Sequence, residues 1–211
     1  GYGSSETKDV LAAMRAICME PDAVGELRFD EETLAAAPIR EDSYYDGLRV
    51  TLVAWLGESR IPLQIDIGFG NAIEPGAVEA EFPVLLGDPA PKIRAYPYQA
   101  VVAEKFHAMV VLGERNSRMK DFYDLNVLAS QFDFEGAALV RAVTATFERR
   151  NLKVKGALPV ALTTRFYADA ARGGQWRAYL SGKGLPGAPA DFGVVGELLL
   201  EFLTPIWERV F

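Results

Sequence analysis

Leu48-Arg49-Val50-Thr51-Leu52-Val53-Ala54-Trp55-Leu56, Gly57-Glu58-Ser59-Arg60 and Ile61-Pro62-Leu63-Gln64-Ile65-Asp66-Ile67 follow one another without a break. In the first run Leu48, Val50, Leu52, Ala54 and Leu56 alternate with Arg49, Thr51, Val53 and Trp55. In the third, Ile61, Leu63, Ile65 and Ile67 alternate with Pro62, Gln64 and Asp66. A period of two is the signature of a strand with one buried face. The glycine-containing middle run is then a hairpin turn. Pro62 lacks an N–H for a ladder, which places the second strand at an edge or near its entry.

Outward from this hairpin the pattern changes. Upstream, Val10, Leu11, Met14, Ile17 and Cys18 recur at helical spacing, so residues 8–19 read as a helix, and residues 27–29 as a short strand. Downstream, residues 68–76 are a loop, and residues 82–86 and 93–96 are further short strands. After Pro97 the period becomes 3.6. Helices are expected over 98–112, closed by Gly113, and over 118–131 with Ser117 as N-cap. Three more are expected over 136–150, 163–180 and 193–210, the last kinked or ended early by Pro205. The fold class is α+β: a mixed β-sheet flanked by helices, followed by a helical C-terminal half. The organisation is 1–97 as a β-rich core and 98–211 as a helical region.

Composition sets broad limits. Half of the 211 residues are hydrophobic, and no apolar run is long enough to span a bilayer. The formal net charge of −7 argues against non-specific binding to DNA or to membranes. A local basic patch for RNA has one set of candidates in Arg115, Arg118, Lys120, Arg149, Arg150, Lys153 and Lys155, against the plainer reading of solvated faces. The single cysteine, Cys18, rules out an intrachain disulfide and reads as a buried, inert thiol, which fits a reducing cytoplasm. The single histidine, His107, excludes a multi-histidine metal site and reads as a packed side chain rather than a general base. The tyrosines and tryptophans read as core.

Three places could carry chemistry. Asp66 sits on a strand opposite four aliphatic residues with a glycine loop after it; such a carboxylate suits magnesium, and equally suits a solvent-facing strand side. Lys105 lies mid-helix among Val101, Val102, Phe106, Ala108 and Met109. It must snorkel, pair with Glu104 or another acid, or face a cavity as a point charge for phosphates. Asp121 and Asp124 are three apart and share a helix face, where acids near a helix start also gain from its dipole.

Three segments taken together resemble the AbiEii/AbiGii nucleotidyltransferase toxins of type IV toxin–antitoxin and abortive-infection systems. They are Ile61-Pro62-Leu63-Gln64-Ile65-Asp66-Ile67-Gly68-Phe69-Gly70, Ala103-Glu104-Lys105-Phe106, and Asn116-Ser117-Arg118-Met119-Lys120-Asp121-Phe122-Tyr123-Asp124-Leu125. The resemblance implies a DNA polymerase β-like nucleotidyltransferase core, in which Asp66 matches the strand carboxylate that binds Mg2+. It implies that Lys105 is the phosphate-binding lysine, with Asp121 beside it in the catalytic set and Asp124 next to it in the nucleotide site. It further implies an NTP substrate, a tRNA acceptor, a cognate antitoxin and a cytoplasmic protein. A Gly-Ser or Gly-Gly pair followed by Asp-x-Asp, which supplies two more carboxylates in that superfamily, does not occur in this sequence. In relatives a stretch like Gly1-Tyr2-Gly3 follows directly after it. The expectation is therefore a chain that starts after that motif and does not transfer nucleotides as it stands. The alternative is a truncated or pseudoenzyme form acting as a protein- or nucleotide-binding module.

Overall fold

The computed structural model describes residues 4–20, 27–39, 47–85, 89–152, 157–181, 184, 185 and 187–211. The chain divides into two compact units, Gly1–Asn71 and Ala72–Phe211. The fold is α+β: a helix and small antiparallel sheets, then a helical C-terminal half. The stretch Gly1-Tyr2-Gly3 and the basic residues Lys153 and Lys155 lie outside the described residues.

The first unit is one helix on a three-stranded meander. Helix α1 spans Thr7–Cys18, and strands β1, β2 and β3 span Leu27–Pro38, Gly47–Leu56 and Ser59–Gly68. The strand order is β1-β2-β3 and both pairings are antiparallel, where a mixed sheet is expected from the sequence. The two-residue turn Gly57-Glu58 joins Leu56 to Ser59, with φ 57° at Gly57, the residue that a primed hairpin turn needs there. Pro62 lies on β3, an edge of this sheet. Leu48, Val50 and Leu52 are buried with Val10 and Met14 of α1 and with Leu34, and Leu63 and Ile67 pack against them. The alternation in β2 thus selects the face that α1 covers. Cys18 is half-buried rather than buried, and burial, helped by Glu31, raises its thiol pKa.

Strand β1 runs nine residues beyond the expected 27–29. The acidic run Asp30-Glu31-Glu32 hides it, because the pairing shifts between Asp30 and Ala35. Thr33 bridges the irregularity: its hydroxyl donates to the Asp30 carbonyl at 2.7 Å and accepts from the Val53 N–H at 2.9 Å. The bulge lets Leu34 turn into the core, 8% exposed.

The second unit begins with the ribbon of β4, Val78–Glu81, and β5, Lys92–Ala95. Of the strand expected over 82–86, Leu86 lies outside the described residues, and residues 82–85 are not strand; the strand β4 ends at Glu81. Phe82 donates to the Pro91 carbonyl at 2.9 Å, and Pro83, which has no N–H, ends the ladder there. Among the described residues six α-helices follow: α2 Tyr98–Leu112, α3 Met119–Gln131, α4 Gly136–Arg149, α5 Thr164–Tyr167, α6 Ala170–Ser181 and α7 Phe192–Val210. Gly113 ends α2 with φ 50°. Ser117 does not cap α3. The side-chain Oδ1 of buried Asn116 accepts from the N–H of Arg118, the residue before the helix, at 3.0 Å. The expected helix over 163–180 is broken into α5 and α6, because Asp169 accepts from the Arg172 N–H at 2.9 Å and starts a new helix.

Helix α7 continues through Pro205 to Val210. The carbonyl that Pro205 cannot satisfy belongs to Glu201, and both residues are exposed, so water can take that bond. Val195, Leu199, Leu203, Ile206 and Trp207 of α7 are buried among Phe106, Phe122, Phe147 and Phe166. Gly196 permits the closest approach: a Cβ there would lie 2.2 Å from Cγ of Tyr167. Among the described residues no helix is long and apolar enough to cross a membrane.

Candidate functional site

Helix α2 is apolar on nearly every side, with Val102, Ala103, Phe106 and Met109 at 0% exposure. A lysine in such a helix is costly to desolvate unless it is paired. The short 3-10 turn Gly113–Arg115 and the local bond from the Arg118 N–H to the Asn116 side chain turn the chain back, so α3 packs against α2. The spacing of three in α3 then points both Asp121 and Asp124 at Lys105. The Lys105 ammonium donates to Asp121 Oδ1 at 2.9 Å and meets Asp124 Oδ2 at 2.6 Å. Lys120, one turn before Asp124, donates to the same Oδ2 at 2.6 Å.

The three central side chains are occluded, with Lys105 and Asp121 at 17% exposure and Asp124 at 22%, whereas Lys120 is at 67%. Burial alone would lower the Lys105 pKa, but the hydrogen bonds and charges of Asp121 and Asp124 outweigh it and hold the value above that of a free lysine. For Asp124, burial pushes up, and the two lysines overcome it and hold the carboxyl below its ordinary range. Both groups are therefore charged at neutral pH. The cluster of two lysines and two aspartates sums to zero charge.

Glu104, the neighbour that could have paired with Lys105, is bound instead to Arg150, the residue just past the end of α4. This removes Arg150 from any surface basic patch, while Arg115, Arg118 and Lys120 are exposed. His107 is buried at 3% exposure, edge-on to Phe147 at 5.1 Å. Burial first and then the Arg150 charge push its pKa down to about 4, so it is a neutral packed ring.

Two tyrosines border the cluster that the sequence reading assigned to the core. Tyr123 lies between the two aspartates on α3, and Tyr179 of α6 faces it with ring centroids 6.1 Å apart. Tyr179 lies close enough to Asp124, Asp121 and Lys105 to feel their charges. Burial and then Asp124 raise its pKa, with Lys105 opposing. The sequence signal was present but weak: an aromatic inside Asp-Phe-Tyr-Asp, and a tyrosine three residues after Trp176.

Asp66 belongs to the other unit. It faces Arg49 across the β2–β3 ladder in a two-pronged pair, Nε to Oδ1 at 2.8 Å and Nη2 to Oδ2 at 2.9 Å. Gln64 adds a longer bond of 3.5 Å to Oδ1. The Arg49 hydrogen bonds hold the Asp66 carboxyl below its ordinary value. A magnesium ion needs several oxygen ligands. Among the described residues no group of three His, Cys, Asp or Glu side chains could hold a metal, and Arg49 engages both Asp66 oxygens. The described side chains do not by themselves make up a magnesium site.

Residues 1–195 match the family model of the nucleotidyl transferase AbiEii toxin of type IV toxin–antitoxin systems. No curated protein matches the chain. The match spans most of the 211 residues, and the chain belongs to that family.

Proposed function

We propose that this member of the AbiEii nucleotidyl transferase toxin family moves a nucleotide from an NTP to an RNA acceptor, a tRNA, with Lys105 as the cation that holds the phosphates. The supporting observation is the occluded Lys105 ammonium, fixed by Asp121 and Asp124 where α2 packs against α3. Two of its three N–H donors are directed by those carboxylates, which leaves the third for a phosphate oxygen. Asp121 and Asp124 are positioning residues: they keep Lys105 charged and fix its direction. Lys120, exposed beside them, adds a second cation at the entrance.

In the reaction an acceptor hydroxyl oxygen bonds to the α-phosphorus and the bond to the bridging β-phosphate oxygen breaks. Pyrophosphate leaves and the hydroxyl proton passes to solvent. Negative charge builds on the phosphate oxygens, and a pre-placed ammonium that needs no reorganisation stabilises it. We assign Asp66 as the strand carboxylate that would face magnesium in exchange for Arg49. The toxin works beside a cognate antitoxin in the cytoplasm.

A second reading is a nucleotide-binding module without transfer activity, favoured by the Arg49 clasp on both Asp66 oxygens. One experiment separates the two. The protein from its complete reading frame is incubated with labelled NTP, mixed tRNA and magnesium, with and without chelator. Transfer that needs magnesium and disappears in Lys105→Ala and in Asp66→Ala supports the enzyme. Nucleotide binding without transfer supports the module.

A further inference from the structure

Helix α6 is anchored through Arg172, which donates to the Glu114 carbonyl and carboxylate, and through Trp176. Trp176 is fully buried and its indole N–H donates to the Pro189 carbonyl at 2.9 Å. One turn on, Tyr179 stacks against Trp176 with centroids 6.0 Å apart and planes at 27°. Trp176 fixes the ring, and Tyr179 itself is half-buried, at the place where the core gives way to the charged cluster. Tyr123, also half-buried, stands across from it at 56°. The result is a pair of aromatic rings, one fixed from behind by a buried indole, beside an ammonium held by two carboxylates.

A nucleoside triphosphate has the matching layout: a polyanion at one end and a flat π-face at the other. We propose that Tyr179, with Tyr123, is the surface on which the base of the bound nucleotide stacks while Lys105 holds its phosphates. This rests on the phosphate-binding role assigned to Lys105 above. Stacking uses the π-face that every base shares, so the tyrosines contribute affinity and little discrimination among bases. Selection among bases must then come from hydrogen bonds elsewhere.

The plainer role of Tyr179 is to cover the rim of the core, and three variants separate the two. Tyr179→Phe keeps the ring, Tyr179→Leu keeps apolar volume without a π-face, and Tyr179→Ala removes both. Equilibrium binding is measured with ATP, GTP, CTP and UTP, and with inorganic tripolyphosphate, which has no base. Folding of each variant is checked by circular dichroism and melting temperature. Stacking predicts that Tyr179→Leu and Tyr179→Ala lose about tenfold in affinity for all four nucleotides. Tripolyphosphate binding stays unchanged, and Tyr179→Phe behaves as wild type. A folded Tyr179→Leu with wild-type NTP affinity overturns the proposal, as does an equal loss for NTP and tripolyphosphate. Failure of the Lys105 role has a different signature: wild type and Lys105→Ala then bind tripolyphosphate equally.

Discussion

Two of the carboxylate–cation sites among the described residues are alike in distance and opposite in setting. Asp66 and Arg49 meet at 2.8 and 2.9 Å on a strand pair, with side chains 44% and 42% exposed. Lys105 meets Asp121 and Asp124 at 2.9 and 2.6 Å between two helices, with every partner 22% exposed or less. In the first site water competes for every bond, and an exposed pair contributes little to stability. In the second, desolvation has already been incurred, so removing one partner strands a charge. Distance alone does not distinguish a structural clasp from a primed site; the cost of breaking it does.

The sharpest contrast is expected on deleting the cation of the occluded site. Lys105→Ala removes the cation that Asp121 and Asp124 share, leaves Asp124 with the exposed Lys120, and should destabilise the fold by about 2–4 kcal/mol, somewhat below the usual cost of an unpaired buried charge because the site is not fully dry. Chemical denaturation reads this directly. The triple variant Lys105→Met, Asp121→Leu, Asp124→Leu tests whether the charges serve stability at all. It should regain most of that loss, since apolar replacements of a whole buried ion cluster are often neutral or better. A triple variant as unstable as Lys105→Ala would mean the cluster is a structural keystone.

A smaller effect is expected from pH. The folded Asp124 carboxyl lies below its ordinary value, so its contribution is fully present above that value and is lost as pH falls through the lowered one. The stability gap between wild type and Asp124→Asn should therefore be constant near neutrality and close under acid. A gap that closes between pH 6 and pH 8 instead would assign it to another group. The smallest effect is expected from Asp66→Asn, whose carboxylate is exposed and hydrogen-bonded mainly to one partner. Its melting temperature should match wild type within error, and a clear drop would show that the Arg49 clasp supports the sheet.

The legibility of these two regions in the sequence also differs. The β2–β3 hairpin follows directly from alternation, because one side of each strand meets α1 and the other does not. Helix α2 is bounded by Pro97 and Gly113, and both ends are visible as residues. Strand β1 was hidden because its bulge at residues 31–34 breaks the period, and a side-chain hydroxyl, Thr33, replaces the regular ladder there. The break between α5 and α6 turns on one aspartate that caps, and Asp169 looks like any surface acid until its partner is known. At the site, the spacing of Asp121 and Asp124 fixes their common face, but the partner of Lys105 is open in the sequence between Glu104 and another acid. The answer lay 46 residues away: Arg150 takes Glu104 and leaves Lys105 to α3. Tyr179 carries only a weak signal for the same reason, since only the packing of α6 brings it beside the cluster.

The most direct test of the central claim is the affinity of the folded protein for inorganic tripolyphosphate, measured by calorimetry at physiological salt for wild type, Lys105→Gln and Asp66→Asn. A charge-assisted hydrogen bond contributes about 1.5–3 kcal/mol. Lys105→Gln should thus weaken binding roughly 10–100-fold, while Asp66→Asn without metal leaves it unchanged. Equal affinity of wild type and Lys105→Gln would contradict the assignment of Lys105 as the phosphate-holding cation.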